Sequence, residues 1–104
     1  GGTSEDAGYF PLQVGNTASG STILQMLSAT DAACTIHMGD AVSGAGRYDG
    51  YIQYGHGDRS MLFGTAGATQ MTVETNGNVT IEDGNLVIDT SVHTMQLLLV
   101  IRVQ

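Results

Sequence analysis

Glycine divides this chain into short segments, and the spacing of its glycines constrains the fold more than any other feature. The 104 residues include 15 glycines but only one proline, and turn-forming residues recur every eight to twelve positions. Glycine supplies the backbone conformations that tight turns need. The segments between the glycines are rich in β-branched residues, which are typical of strands. The pattern therefore predicts an all-β fold of short antiparallel strands and hairpins.

Individual strands can be placed between these turns. The pattern predicts strands over residues 10–14, 33–38, 51–54 and 60–63, with Pro11 restricting the first to an edge or a strand start. Residues 22–28 fit either a strand or a helix, and we favour the strand. Residues 39–50 form the most glycine-rich loop, and further turns are expected at 55–58 and through Gly64 and Gly67.

A tandem repeat marks residues 77–90, which read GNVTIED followed by GNLVIDT. A two-residue turn at Asp83-Gly84 would place Val79, Ile81, Leu86 and Ile88 on one face of a hairpin.

The preceding turn is predicted by the same test of side-chain alternation. A three-residue loop over 76–78 pairs Val73 with Ile81 and Thr75 with Val79. The sequence thus predicts a meander of strands 69–75, 79–82 and 85–90.

The supply of bulky core residues is small. The chain has no Trp and only two Phe, so burial must come mainly from aliphatic side chains. A three-stranded sheet with one aliphatic face is marginal alone. We therefore expect the core to be completed by association between copies of the chain.

Three regions are expected along the chain. Residues 1–9 are a flexible lead-in, residues 10–90 form the β-structured module, and residues 91–104 are an apolar C-terminal strand or an appended tail. The apolar stretch 97–101 is far shorter than the ~20 residues of a membrane-spanning helix, so no membrane insertion is expected.

The charge and the counts of lysine and cysteine argue against several classes of partner, catalysis and cross-link. Three basic residues stand against ten acidic ones, giving a net charge of −7, which argues against nucleic acid and against anionic lipid surfaces. The absence of lysine excludes lysine-based catalysis. A single cysteine, Cys34, excludes an internal disulfide.

Residues 49–89 resemble the repeat-like modules of bacteriophage tail fibres. The run reads DGYIQYGHGDRSMLFGTAGATQMTVETNGNVTIEDGNLVID. The resemblance implies an intertwined homotrimeric β-fibre or β-prism-like module, with a fibre tip that recognises the host surface. It would place Val79, Ile81, Leu86 and Ile88 in the trimer core. Glu82-Asp83-Gly84 departs from the family's usual Gly-Ile-Gly, and nothing after Thr90 matches the pattern.

The residues of types used in catalysis or metal binding are scattered along the sequence. His37, His56 and His93 are far apart in sequence, and the acids at 82, 83 and 89 lack the spacing of a calcium loop. We therefore predict no catalytic residues, no metal site and no cofactor. One cluster has residue types common in recognition surfaces. It comprises Arg47, Tyr48, Asp49 and Tyr54.

These features predict a structural component of a virion fibre or appendage, not an enzyme. Its expected partners are two further copies of itself, neighbouring virion proteins and a host-surface glycan or protein. A capsid decoration or shell protein is an alternative. A carbohydrate-cleaving tailspike is a further alternative, but it would need two acids about 5–9 Å apart, and the chain has few aromatic rings to stack on sugars.

Overall fold

The strands of the computed structural model, which describes residues 12–18 and 20–89, form a single antiparallel sheet. The elements in chain order are β1 (Ala33–Met38), a 3-10 helix (Gly44–Tyr48), β2 (Gly50–Gly55), β3 (Ser60–Thr65), β4 (Ala68–Val73) and β5 (Val79–Ile81). The five strands lie in the sheet in the order of the sequence, as a meander. The predicted all-β fold is confirmed, and β1 has the bounds that the sequence predicted.

Residues with positive φ lie in the turns of two of the hairpins. Ala66 and Gly67 have φ of 53° and 75° and connect the paired residues Thr65 and Ala68. Positive φ at both central residues matches the right-handed twist of the flanking strands. Arg59 has φ of 59° and its N–H donates to the carbonyl of Gly55 at 2.8 Å. The turn predicted at 55–58 is thus present, shifted by one residue.

The loop between β4 and β5 has the predicted length in a different position. The N–H of Glu74 donates to the carbonyl of Asn78, and the N–H of Gly77 donates to the carbonyl of Glu74, both at 2.8 Å. The loop is therefore 75–77, with Gly77 at φ 90° in its last position. Val73 consequently pairs with Val79, not with Ile81 as predicted. Because the shift is two residues, the same side chains still share a face.

The sheet has one face that is apolar across all five strands. Its side chains form two cross-strand rows, which we call the apolar face. One row is Cys34, Tyr54, Met61, Val73 and Val79, and the other is Ile36, Ile52, Phe63, Met71 and Ile81. The opposite side, which we call the polar face, carries mostly hydroxyl, amide and imidazole groups. Its central rows contain Thr35, Gln53, Leu62, Thr72 and Thr80, and His37, Tyr51, Gly64 and Thr69.

The apolar face is not covered by the described part of the chain. None of the hydrophobic residues described is buried. On β1, Ile36 is 46% exposed and Met38 is 52% exposed, and on β5 Val79 is 58% exposed. A sheet with one apolar face normally buries it against a second layer. Residues 12–18 and 20–89 supply no such layer.

The strand predicted at 22–28 is absent. Residues 21–29 have neither strand nor helix, and Ile23, Leu24 and Leu27 are 79%, 71% and 81% exposed. Among the described residues, the segment has no backbone partner of the kind that would make it part of the sheet. The strand predicted at 10–14 is likewise missing from its described part, residues 12–14, while residues 10 and 11 lie outside the described residues.

The predicted hairpin at Asp83-Gly84 does not form. A type I′ turn needs positive φ at both central residues, and neither of these two has it. Residues 85–89 carry no strand, and Leu86 and Ile88 are 73% and 48% exposed. The predicted lead-in 1–9 and the tail 91–104 lie outside the described residues.

Gly64 has a different role from the predicted one. It lies inside β3, paired with Tyr51, and the chain turns two residues later. The predicted loop 39–50 contains the 3-10 helix and ends in the first residue of β2.

Candidate functional site

The structure separates the residues predicted to form a recognition surface. Tyr48 ends the 3-10 helix and contacts His37 of the polar face, with ring centroids 5.7 Å apart. Tyr54 lies on the apolar face, where its ring meets the edge of His56 at 5.1 Å. The two tyrosines therefore cannot contact one ligand on one side of the sheet.

The other two residues of that cluster support the local chain. The Nε–H of Arg47 donates to the carbonyl of Gly44 at 3.1 Å, within the 3-10 helix. The carbonyl of Asp49 accepts the N–H of Gly67 at 2.8 Å, which ties the start of β2 to the β3–β4 turn.

Close backbone packing fixes the 3-10 helix beside β1. The N–H of Asp40 donates to the carbonyl of Gly46 at 3.0 Å. At Gly39 a Cβ would overlap the carbonyl of Arg47, so only glycine lets the two segments approach this closely. This packing places Tyr48 against His37 at the end of the sheet.

A shallow pocket of about 330 Å³, widely open to solvent, lies on the polar face beside this contact. Three adjacent strands and two connecting segments line it. The lining residues are His37, Tyr48, Tyr51, Gln53, Leu62 and Gly67. Pockets for small ligands combine apolar and aromatic surface with a few fixed polar groups, as this one does.

Two hydrogen bonds orient the polar side chains of the pocket. The hydroxyls of Tyr51 and Thr69 share a hydrogen bond of 2.6 Å. The hydroxyl of Thr35 donates to Oε1 of Gln53 at 3.1 Å. The amide nitrogen of Gln53 and the imidazole of His37, whose ring contacts Tyr48, make no hydrogen bond within residues 12–18 and 20–89. The pocket thus offers hydrogen-bonding groups beside aromatic rings.

A second open pocket, of about 440 Å³, lies at the end of the apolar face that includes Tyr54. Met61 and Val73 line it together with Arg59, Glu74 and Thr75. Its charged side chains come from the β2–β3 turn and the β4–β5 loop, so it marks the border between the apolar rows and the loops.

The predicted trimer-core residues fall in two places. Val79 and Ile81 lie on the apolar face in β5, whereas Leu86 and Ile88 follow the last strand. Sequence reasoning missed most of the apolar face. The alternation of Cys34, Ile36 and Met38, and of Ile52 and Tyr54, could have identified it. The opposite alternation of Thr35 and His37 could have indicated the pocket.

Within the described ranges, no three His, Cys, Asp or Glu side chains come together as a metal site would require. No helix in this part of the chain is both long enough and apolar enough to cross a membrane.

Comparison of the sequence with protein-family models and with curated proteins, and of the fold with solved structures, finds no match.

Proposed function

We propose that this chain is a structural module of a virion fibre or appendage, in which three copies join their apolar faces around a common axis. The observation that carries this assignment is the apolar face. Ten side chains in two uninterrupted rows cross five strands, and no hydrophobic residue of the described chain is buried. The resemblance of residues 49–89 to tail-fibre modules supports the threefold arrangement.

Burial energy favours association. Fully burying an aliphatic side chain contributes about 1.5–3 kcal/mol, and Ile36 and Val79 keep 46% and 58% of their surface exposed in the single chain. Covering the exposed part of each such side chain would contribute about 1 kcal/mol. Ten positions repeated in three copies would supply a core that one copy lacks.

The distribution of charge is compatible with this arrangement. The carboxylates of Glu74 and Glu82 accept hydrogen bonds from Thr80 and Thr72 at 3.0 and 3.1 Å, on the polar face. With the apolar faces inside, these acids lie outside, where they favour solubility. The exposed apolar segment at Ile23, Leu24 and Leu27 supplies further surface for contact between copies.

Light scattering after size exclusion tests the assembly. We expect the mass of three chains of 10.8 kDa each. Ile36→Glu should dissociate the assembly, because a carboxylate there is tolerated on a half-exposed single sheet and penalised only when the face is covered. The matched control is His37→Glu, one residue away on the polar face, which should keep the three-chain mass.

A folded, compact single chain with strong amide protection would contradict the assembly. So would a three-chain mass that Ile36→Glu leaves intact. Small-angle X-ray scattering of the assembly tests the fibre role. We expect the scattering of an elongated particle. A flat, laterally extended lattice would instead favour a shell or decoration protein.

A further inference from the structure

We infer that the pocket lined by Tyr48, Tyr51, His37 and Gln53 binds one ring of a neutral saccharide. This gives the module a binding activity in addition to its structural role. The pocket lies on the polar face, so saccharide binding does not depend on how the apolar face is covered.

Aromatic rings are concentrated at this pocket although the chain has few of them. Two of its four tyrosines line the pocket, and the ring of Tyr48 is tilted 48° to that of His37 at 5.7 Å. The electron-rich faces of such rings attract the positively polarised C–H edges of a sugar ring. Tyrosine also presents a hydroxyl beside its apolar ring, which suits the mixed surface of a sugar.

Polar groups are placed to receive sugar hydroxyls. Because Oε1 of Gln53 accepts the hydroxyl of Thr35, the amide nitrogen is directed away from that bond and can donate to a ligand. The imidazole of His37 has one donor and one acceptor nitrogen when neutral. A sugar hydroxyl both donates and accepts, so these two side chains can engage neighbouring hydroxyls.

The size of the pocket and the charges around it restrict the class of ligand further. The open pocket of about 330 Å³ is at the small end of the range for ligand pockets, which start near ~300 Å³. None of the six lining residues is an acid, a lysine or an arginine. The chain as a whole carries a net charge of −7, which disfavours an anionic sugar. The six lining residues include no pair of carboxylates of the kind used to cleave glycosidic bonds, so the activity we infer is binding.

The test is a titration of the ¹⁵N-labelled full chain, followed by amide chemical shifts. The probes are methyl α-D-glucopyranoside, methyl β-D-galactopyranoside and N-acetylglucosamine, with N-acetylneuraminic acid as the anionic comparison. We expect at least one neutral probe to bind at millimolar concentration and to shift the amides of His37, Tyr48, Tyr51 and Gln53. The anionic probe should bind more weakly.

Ring deletions on the two faces provide the matched comparison. Tyr48→Ala should weaken binding about tenfold, as expected for the loss of one ring contact. Tyr48→Phe should retain most of the affinity. Tyr54→Ala removes a tyrosine ring from the apolar face and should leave affinity unchanged. If that variant does not fold, Tyr54→Leu removes the ring and keeps an apolar side chain there.

Three results would overturn the saccharide site. These are no shifts with any neutral probe, shifts that avoid the pocket, or equal binding by the folded Tyr48→Ala variant. Tighter binding of the anionic probe would also contradict a neutral ligand. Light scattering on the same samples separates the two proposals. Three-chain mass without sugar binding overturns only the site, and sugar binding by a single chain overturns only the assembly.

Discussion

The ring of Tyr51 on β2 lies across Gly64 on β3 and its hydroxyl reaches Oγ1 of Thr69 on β4 at 2.6 Å. One side chain thereby connects three strands on the polar face. A Cβ at Gly64 would overlap Cε2 and Cζ of this ring. The glycine is therefore needed for close side-chain approach inside a strand, not for a turn. The same ring lines the pocket, so the contact joins the stability of the sheet to the shape of the candidate site.

Replacing Gly64 by alanine should displace the Tyr51 ring and destabilise the fold by about 2 kcal/mol, the usual cost of overpacking. The thermal midpoint should fall by about 10 °C, measured by circular dichroism at fixed protein concentration. The control is Gly55→Ala, a strand glycine whose added Cβ would meet nothing within 4 Å. An equal effect of the two substitutions would contradict the proposed contact.

Removing the hydroxyl with Tyr51→Phe should cost about 1 kcal/mol, because the Thr69 hydroxyl loses its partner. A double-mutant cycle with Thr69→Val, measured by urea unfolding, should give a coupling energy of about 1 kcal/mol. Additive effects of the two changes would show that the hydrogen bond contributes nothing to stability. Tyr54→Phe on the apolar face is the control for hydroxyl removal.

Substituting Ala66 should stabilise the chain. Ala66 has φ of 53°, a conformation that alanine adopts at a cost and that asparagine and glycine accept more readily. Ala66→Asn should therefore raise stability by about 0.5–1 kcal/mol. Gly67→Ala, at φ 75° in the same turn, should lower it. Thermal unfolding of both variants measures these changes. A lower midpoint for Ala66→Asn than for Gly67→Ala would contradict the turn described.

Stability should depend on protein concentration. If three chains share one core, each tenfold dilution should remove about 1 kcal/mol of stability per chain and lower the thermal midpoint. The comparison is Ile36→Glu, whose midpoint should not change with dilution once its chains are separate. A wild-type midpoint that is constant over a hundredfold dilution range would rule out a shared core.

Much of the strand pattern could be predicted because it is local. Residues 33–38 form a strand with the predicted bounds, and residues 51–54 and 60–63 lie within β2 and β3. Glycine and asparagine supply positive φ or side-chain caps at turns, and both effects act over a few residues. Asn76, for example, accepts the N–H of Asn78 through its Oδ1 at 2.9 Å. Such signals are visible in the sequence itself.

The main error arose where a strand was predicted from local similarity alone. GNLVIDT shares its Gly-Asn start and its isoleucine with GNVTIED, yet only Val79–Ile81 of the first repeat forms a strand. The second repeat would have to pair with β5 through a turn whose residues lack positive φ. Local similarity predicted both strands, but a strand persists only where its hydrogen bonds find a partner.

The sequence by itself determined that this chain forms short strands separated by turns, because backbone sterics and the two-residue alternation of side chains act between near neighbours. Only the tertiary structure decided the register of β4 and β5, the placement of Tyr48 and Tyr54 on opposite faces and the approach of Tyr51 to Gly64. The faces of the two tyrosines and the approach of Tyr51 to Gly64 depend on contacts between residues in different elements, which no local rule specifies. The β4–β5 register depends on which of two three-residue loops forms, and side-chain alternation fits both.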